Sequence, residues 1–131
     1  MDLTELTAHL EAAENDGDWE RFADLLDPDV TIVHPGIGAV VGVEANVMVM
    51  QLITAAIEDY QRTTSDLVTA DGRGAFKFSI TGQHTGDLPG FPATGEPVEI
   101  AGAMFFSTRN GRLHHAEELT NHDSLREMSL R

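Results

Sequence analysis

The chain has 131 residues and no cysteine, and its 22 acidic and 8 basic side chains give a formal net charge of -14. This length supports one hydrophobic core, so we expect a single domain over residues 1–131. The acidic excess would repel phosphate backbones and anionic lipid, so nucleic acid and membranes are not expected as partners. The absence of cysteine excludes disulfides, thiolate catalysis and thiolate metal sites, and a cytoplasmic location is the default.

The first third of the chain predicts two helices and a strand. Apolar residues recur at helical spacing from Leu3 to Asn15, which predicts an amphipathic helix. Gly17 suits a left-handed turn, and Asp18 is placed to cap a second helix that reaches Leu26. The β-branched run from Val30 to His34 then predicts a strand, and a glycine-rich connection follows it.

The rest of the chain predicts one more long helix and then a series of strands. Helical spacing of apolar residues returns over residues 44–60. Strands are expected over residues 63–69, 75–84, 98–108 and 112–121, followed by a short helix over 123–130. Because consecutive hairpins leave no room for parallel crossovers, the order of elements predicts an α+β fold with helices on an antiparallel sheet.

A polar group is predicted on the apolar face of the last hairpin. With a two-residue turn at Asn110-Gly111, Glu117 faces Met104 and His115 faces Phe106. A carboxylate between such side chains costs several kcal/mol unless it is paired, protonated or wet, and a ligand pocket would explain it. Glu117 is therefore the first candidate for a proton-transferring group.

A bulge in this hairpin would change the prediction. A three-residue loop with a bulge at Gly111 would shift the register by one residue and place Phe105 opposite His115. Different side chains would then share the inner face. The sequence leaves both registers open.

Two histidines are further candidates. His84 continues the apolar face of its predicted strand, and either lines a pocket or is a half-exposed residue at the strand end. His34 ends the first predicted strand and is either a pocket residue or a capped surface residue. The adjacent His114 and His115 point to opposite faces of a strand, so they are poorly placed to share a metal ion and no metal is expected.

The glycine- and proline-rich segment from His84 to Val98, HTGDLPGFPATGEPV, carries a resemblance to a known family. It resembles the HxGxxxGxPPTGxxV signature of SnoaL-like polyketide cyclases, which belong to the nuclear transport factor 2-like superfamily. Ala93 replaces the second proline, and a looser resemblance extends over nearly the whole chain. The resemblance implies a cone-shaped, cystatin-like α+β roll, in which helices and a curved sheet enclose a pocket, and a homodimer.

The resemblance also implies a reaction. Cyclases of this family close a ring by intramolecular aldol condensation without a cofactor, and use an acidic residue on the last long strand. The matching places here hold His115, Glu117 and Asn121, so Glu117 substitutes for the family's aspartate. In the related steroid isomerase branch, a general-base aspartate precedes a proline. His34 looks like that residue, whereas Leu10 stands in the region of that branch's catalytic tyrosine.

We therefore expect a cofactor-independent acid-base enzyme, a cyclase or a related isomerase or lyase, acting on a hydrophobic carbonyl-bearing small molecule. Glu117, His84 and His34 are the expected catalytic residues. The alternative is a non-catalytic small-molecule-binding or dimeric interaction domain of the same fold. The side chains expected to bind the substrate are those of Trp19, Met50, Met104, Phe106, His115 and Asn121.

Overall fold

The computed structural model describes residues 1–121, which form three helices and one six-stranded sheet. The helices are α1 (Leu3–Asp16), α2 (Trp19–Asp24) and α3 (Val43–Ala56). The strands are β1 (Leu26–His34), β2 (Gly38–Val41), β3 (Ile57–Ala70), β4 (Arg73–His84), β5 (Pro97–Arg109) and β6 (Arg112–Thr120). The helix predicted over residues 123–130 lies outside the described residues.

The strands lie in the order β2-β1-β6-β5-β4-β3, and the helices pack against one face of this sheet, which confirms the predicted α+β class. All neighbouring strands are antiparallel except β1 and β6, which run parallel. The expectation of a wholly antiparallel sheet is wrong for this pair, because β1 pairs with a strand distant in sequence as well as with its hairpin neighbour. No helix within residues 1–121 is long and apolar enough to cross a bilayer.

The first two helices are joined as predicted. Gly17 adopts a left-handed conformation with φ of 65° and ends α1. Asp18 caps α2 by accepting a hydrogen bond from the backbone N–H of Arg21 at 3.2 Å. However, α2 is shorter than predicted, because Leu26 pairs with Leu113 of β6 and so belongs to the sheet.

The third helix also ends earlier than predicted. It stops before Ile57, where β3 begins by pairing with His84 at the end of β4. The last residues of the predicted helix therefore belong to β3. The short strand β2 lies within the predicted glycine-rich connection. As a consequence, Tyr60 and Arg62 are strand residues, and both side chains are buried.

The core fills the space between the helices and the inner face of the sheet. Two phenylalanine rings of β4 form its centre, with edge-to-face geometry and a centroid separation of 6.4 Å. Apolar side chains of all three helices pack around them. The buried core residues include Leu6, Leu10, Phe22, Met50, Phe76, Phe78, Met104, Phe106 and Leu113.

The hairpin of β5 and β6 has the predicted two-residue turn, and Asn110 and Gly111 have positive φ values of 54° and 77°. The register then changes between Ser107 and Thr108, which leaves His114 as an extra residue of β6. This is a β-bulge, and an extra residue moves every later side chain of the strand to the opposite face.

The bulge overturns the predicted register. Met104 pairs with Glu118 instead of Glu117, and Phe106 no longer faces His115. The alternative register is not formed either, because Phe105 pairs with Glu117. The inner face of β6 beyond the bulge therefore carries Glu118, whereas Glu117 lies on the outer face and is exposed.

The end of α1 is fastened to β3 by one side chain. Asn15 Nδ2 donates to the carbonyl oxygen of Arg62 at 2.9 Å, and Asn15 Oδ1 accepts from the N–H of Arg62 at 2.7 Å. The amide thus satisfies both backbone groups of one strand residue. This pair of bonds sets the position of Arg62 relative to the helix that precedes Asn15.

We predict that Asn15→Ala lowers the free energy of unfolding by about 2 kcal/mol, since two hydrogen bonds of about 1 kcal/mol each are lost. The matched control is Asp16→Ala, at the exposed neighbouring position, which should change stability by less than about 0.5 kcal/mol. Urea denaturation followed by circular dichroism measures both values. Equal effects of the two substitutions would contradict the proposed fastening.

Candidate functional site

The main pocket opens at one end of the inner sheet face. Its cavity volume is about 80 Å³. Its walls are mostly apolar side chains of α3, the sheet and the segment after β4. Four lining residues are polar, and they are Tyr60, Arg62, Glu118 and Thr120.

The segment 85–96 forms one wall of the pocket through Leu88, Pro89 and Phe91. It is fixed to the end of α3, because the N–H of Gly86 donates to the carbonyl oxygen of Ala56 at 3.0 Å. A side chain on Gly86 would place its Cβ only 3.0 Å from the Cα of Ala56. The glycine therefore allows the wall to pack directly on the helix end.

An ion pair lies at the base of the pocket. Arg62 Nη1 and Glu14 Oε2 are 2.8 Å apart, and both side chains are buried. The N–H bond does not point at this oxygen, so the contact is an ion pair without a directed hydrogen bond. Glu14, Arg62 and Glu118 line one smaller cavity beneath the main pocket, which brings two carboxyl groups and one guanidinium together.

Burial changes the protonation of these carboxyl groups. It raises the pKa of Glu14 to about 7, although the charge of Arg62 opposes the shift. Burial also raises the pKa of Glu118, and Arg62 again opposes it. Glu118 is half-buried in the free protein because one side of it faces the pocket. Both groups can therefore exchange protons nearer to neutral pH than ordinary glutamates do.

Arg62 has unused hydrogen-bonding capacity. Its Nε and Nη2 atoms are buried and have no hydrogen-bond partner among residues 1–121. Burial opposes its charge, but Glu14, Tyr60 and Glu118 together keep the pKa of Arg62 above its ordinary value. A permanently charged guanidinium with free donors can bind a carbonyl oxygen or an oxyanion of a ligand.

Tyr60 adds a hydroxyl group to the same wall. Burial, followed by the charge of Glu14, raises the pKa of Tyr60 well above its ordinary value. The side chain therefore stays protonated at neutral pH and can donate a hydrogen bond into the pocket.

His34 lies in the smaller cavity with Glu14 and Glu118 and is only 2% exposed, so it is not a surface residue. Its Nε2 donates to Asn46 Oδ1 at 2.9 Å. Burial lowers the pKa of His34, while the hydrogen bond to Asn46 and the charge of Glu14 act in the opposite direction. The ring is thus neutral at neutral pH.

His84 is also fully buried, so the alternative of a half-exposed strand end is wrong. Its backbone closes the loop, since its N–H donates to the carbonyl oxygen of Glu96 at 2.9 Å. Neither ring nitrogen has a hydrogen-bond partner among residues 1–121. The side chain is not among those that line the main pocket.

Two residues predicted to face the pocket lie on the other side of the sheet. Glu117 and His115 are exposed on the outer face because the bulge at His114 reverses the alternation of β6. Asn121 follows the end of β6 and is exposed. None of these three side chains lines the main pocket, whereas Glu117 lines a wider concavity together with His34 and Glu118.

The predicted wall residues divide into two groups. Met50 lines the main pocket, and Met50 and Met104 line the smaller cavity. Trp19 and Phe106 instead belong to the core, where Trp19 packs edge-to-face on Phe22 with a centroid distance of 5.7 Å. They stabilise the fold around the pocket without lining it.

The sequence did not predict the polar cluster of Glu14, Arg62 and Glu118 at the base of the pocket, although one signal for it was present. Glu14 lies four residues after Leu10, within the apolar stripe of the first helix, and a carboxylate at such a position requires a buried partner. That partner, Arg62, was hidden because its strand begins inside the predicted third helix. Glu118 was assigned to the outer face by the wrong register.

Comparisons with known proteins agree with this geometry. The sequence profile of the SnoaL-like polyketide cyclase family matches residues 4–126. A comparison with curated proteins gave no match. Many solved structures do match, and three of them illustrate the range of similarity.

A candidate polyketide cyclase from Pseudomonas putida is 27% identical, covers 98% of both chains and has a TM-score of 0.83. IdmH from Streptomyces antibioticus, also a candidate polyketide cyclase, is 25% identical over 95% of this chain and 96% of its own, with a TM-score of 0.82. A Catenulispora acidiphila protein with a ketosteroid isomerase-like fold is 20% identical over 95% and 92%, respectively, with a TM-score of 0.78. The fold is therefore the expected nuclear transport factor 2-like roll.

The raised pKa of Glu14 predicts a pH dependence of stability. Between pH 4.5 and about 7 the folded chain holds a proton on Glu14 that the unfolded chain has lost. This contribution to stability is complete below the unfolded pKa and is lost as the pH rises through the folded pKa. The loss is at most about 1.4 kcal/mol per pH unit, the free energy of a tenfold change in proton activity. Glu14→Gln cannot titrate, so its stability should fall less over this window.

Urea denaturation at several pH values between 4 and 8 measures this difference. Glu118 contributes a loss of the same sign, so some slope should remain in Glu14→Gln. Glu5→Gln, at an exposed position of the same helix, is the control and should retain the slope of the original protein. An unchanged slope in Glu14→Gln would contradict the assignment.

Proposed function

Because the chain belongs to the SnoaL-like polyketide cyclase family, we propose that it is a cofactor-independent acid-base enzyme. Its substrate is a hydrophobic small molecule that bears carbonyl groups, and its reaction is an intramolecular aldol ring closure or a related isomerase or lyase step. The observation that carries the proposal is the position of Glu118. This carboxyl group has a raised pKa and lines a mostly apolar pocket together with Arg62.

The first step is removal of a proton from carbon. The Glu118 carboxylate takes the proton from the carbon next to a substrate carbonyl, and the electron pair of that C–H bond moves to form an enolate. The free N–H groups of Arg62 and the hydroxyl of Tyr60 stabilise the negative charge that develops on the enolate oxygen. The apolar walls exclude water, which strengthens both interactions.

The second step closes the ring. The enolate carbon forms a bond to the carbon of a second carbonyl group in the same molecule, and the oxygen of that group takes up the negative charge. The proton held by Glu118 then passes to this oxygen, which restores the carboxylate. The protons balance without any external oxidant or reductant, and the pocket holds the reacting carbons close together.

In this proposal, the role expected for Glu117 passes to Glu118, because Glu117 lies on the outer face. His34 is a second proton acceptor in the cavity that Glu118 lines. His84 remains a candidate helper at the end of β4 beneath the loop. Met50 and Met104 contact the apolar part of the substrate, and we place the reaction in secondary metabolism in the cytoplasm.

The test uses two adjacent glutamates on opposite faces of β6. With 2-tetralone, an apolar ketone with an acidic C–H bond next to its carbonyl, the protein should accelerate exchange of that hydrogen in D₂O. Glu118→Gln should lower the rate about 10²-fold or more, the usual contribution of a positioned acid or base. Glu117→Gln, the matched control, should stay within about twofold of the original rate, since that side chain does not line the main pocket.

Nuclear magnetic resonance follows the exchange, and circular dichroism verifies that both variants are folded. An equal or larger loss in Glu117→Gln would eliminate the proposed role of Glu118. Binding of 2-tetralone without any exchange would favour the alternative of a non-catalytic binding domain.

We also propose that the protein is a homodimer that pairs through the outer face of the sheet. On this face, Phe105 and Leu119 are 54% and 52% exposed, although both are large apolar residues. Small residues lie between the paired strands there, since Ala103 pairs with Leu119 and Ala101 pairs with Ser79. Charged side chains share this face, since Phe105 pairs with Glu117 and Ala103 pairs with Lys77. A second copy of the same surface would cover the exposed apolar side chains.

Leu119→Glu should convert the dimer to a monomer, because two carboxylates would be buried at a symmetric interface. Size-exclusion chromatography with light scattering should give twice the chain mass of 14.2 kDa for the original protein and 14.2 kDa for the variant. Leu52→Glu is the control, because Leu52 is equally exposed at 52% but lies on α3. A monomeric original protein would refute the dimer.

A further inference from the structure

The orientation of the Asn46 side-chain amide is fixed by two backbone carbonyl groups. Asn46 lies in the first turns of α3, and its side chain is completely buried. Asn46 Nδ2 donates to the carbonyl oxygen of Val40 at 3.0 Å and to that of Gly42 at 2.8 Å. Since carbonyl oxygens only accept hydrogen bonds, the amide nitrogen has to face them.

This orientation decides the state of His34. With its nitrogen directed at two carbonyl groups, the Asn46 amide presents only its oxygen to the histidine. His34 Nε2 is therefore the protonated ring nitrogen. A neutral imidazole carries one N–H, so Nδ1 has a free lone pair.

The free nitrogen lies in the polar interior of the protein. His34 Nδ1 is buried and has no hydrogen-bond partner among residues 1–121. Glu14, Arg62 and Glu118 line the cavity that His34 also lines. A buried acceptor without a partner has a cost in stability, and such a cost is expected where the group serves a ligand or a reaction.

We propose that Asn46 is a positioning residue that holds His34 as the Nε2–H tautomer, so that Nδ1 serves as a proton acceptor in the cavity shared with Glu118. This inference deepens the proposed function and depends on it for its catalytic consequence. When Glu118 has taken a proton from substrate, its O–H bond breaks and an N–H bond forms at Nδ1. Return of this proton to Glu118 restores the neutral ring.

The charged neighbours fit this exchange. The charge of Glu14 would stabilise the imidazolium formed at His34, and Glu118 and Arg62 line the same cavity. Asn46 keeps its hydrogen bond to Nε2 throughout, because that nitrogen remains protonated in both states. Because Nδ1 has no hydrogen-bond partner among residues 1–121, the transfer requires Glu118 to move towards Nδ1 or one water to bridge the two groups.

The tautomer is measured directly by long-range ¹H–¹⁵N correlation spectra of the uniformly labelled full chain at pH 7.5. His34→Phe identifies the His34 signals among those of six histidines. The expected spectrum shows a protonated Nε2 and an unprotonated Nδ1. A protonated Nδ1, or rapid averaging of the two tautomers, would overturn the proposal.

Two substitutions separate positioning from support of the fold. Asn46→Leu removes the acceptor and should reduce the tautomer preference about tenfold, the usual net worth of one buried hydrogen bond. Asn46→Asp keeps the acceptor but loses both donors to the backbone and adds a negative charge beside the ring. It should keep Nε2 protonated, raise the pKa of His34 and lower stability. Gln51→Leu, on the exposed side of α3, is the control and should leave the His34 signals unchanged.

The exchange of 2-tetralone hydrogen gives the catalytic readout. Asn46→Leu should lower kcat about tenfold with little change in KM, and Asn46→Asp should recover kcat only at pH values at which its His34 ring is neutral. If Asn46→Leu is unfolded, the spectrum of the original protein and the rate of Asn46→Asp still test whether Asn46 positions the His34 ring. An unperturbed kcat in Asn46→Leu with an altered tautomer would refute the positioning role and leave the proposed function intact. Absence of exchange in the original protein would refute the catalytic consequence together with the proposed function.

Discussion

The site depends on one buried guanidinium. The positive charge of Arg62 offsets part of the free-energy cost of burying two carboxyl groups, that of Glu14 in α1 and that of Glu118 at the base of the pocket. Without a cation, two carboxyl groups so close to each other would both be protonated, or water would have to enter. With the cation, they retain the capacity to ionise, and their pKa values lie above those of exposed glutamates.

The position of this guanidinium is itself a consequence of the fold. Asn15 binds both backbone groups of Arg62, so the end of α1 and the strand β3 are held in one arrangement. The pair of Glu14 and Arg62 thus joins a helix to the sheet by charge, and Asn15 joins them by hydrogen bonds. A site supported by packed secondary structure on both sides keeps its geometry when the ligand enters.

The bulge in β6 selects which acid enters the pocket. Glu117 and Glu118 are adjacent and chemically identical, and only the extra residue His114 decides which one faces inward. The turn residues Asn110 and Gly111 behave as their sequence indicates. A bulge at His114, the third residue of β6, has no local sequence signal of similar strength, so the correctly predicted turn was combined with a wrong register.

The sequence by itself determined the helix ends at Gly17 and Asp18, the α+β class, the turn at Asn110-Gly111 and, through the segment 84–98, the family. These features depend on the conformational preferences of single residues or on contiguous motifs. Only the tertiary structure decided the end of α3, the parallel pairing of β1 with β6, and the meeting of Glu14, Arg62 and Glu118. Each of these results from pairing between residues distant in the chain, where the free energy of the contact outweighs the local preference.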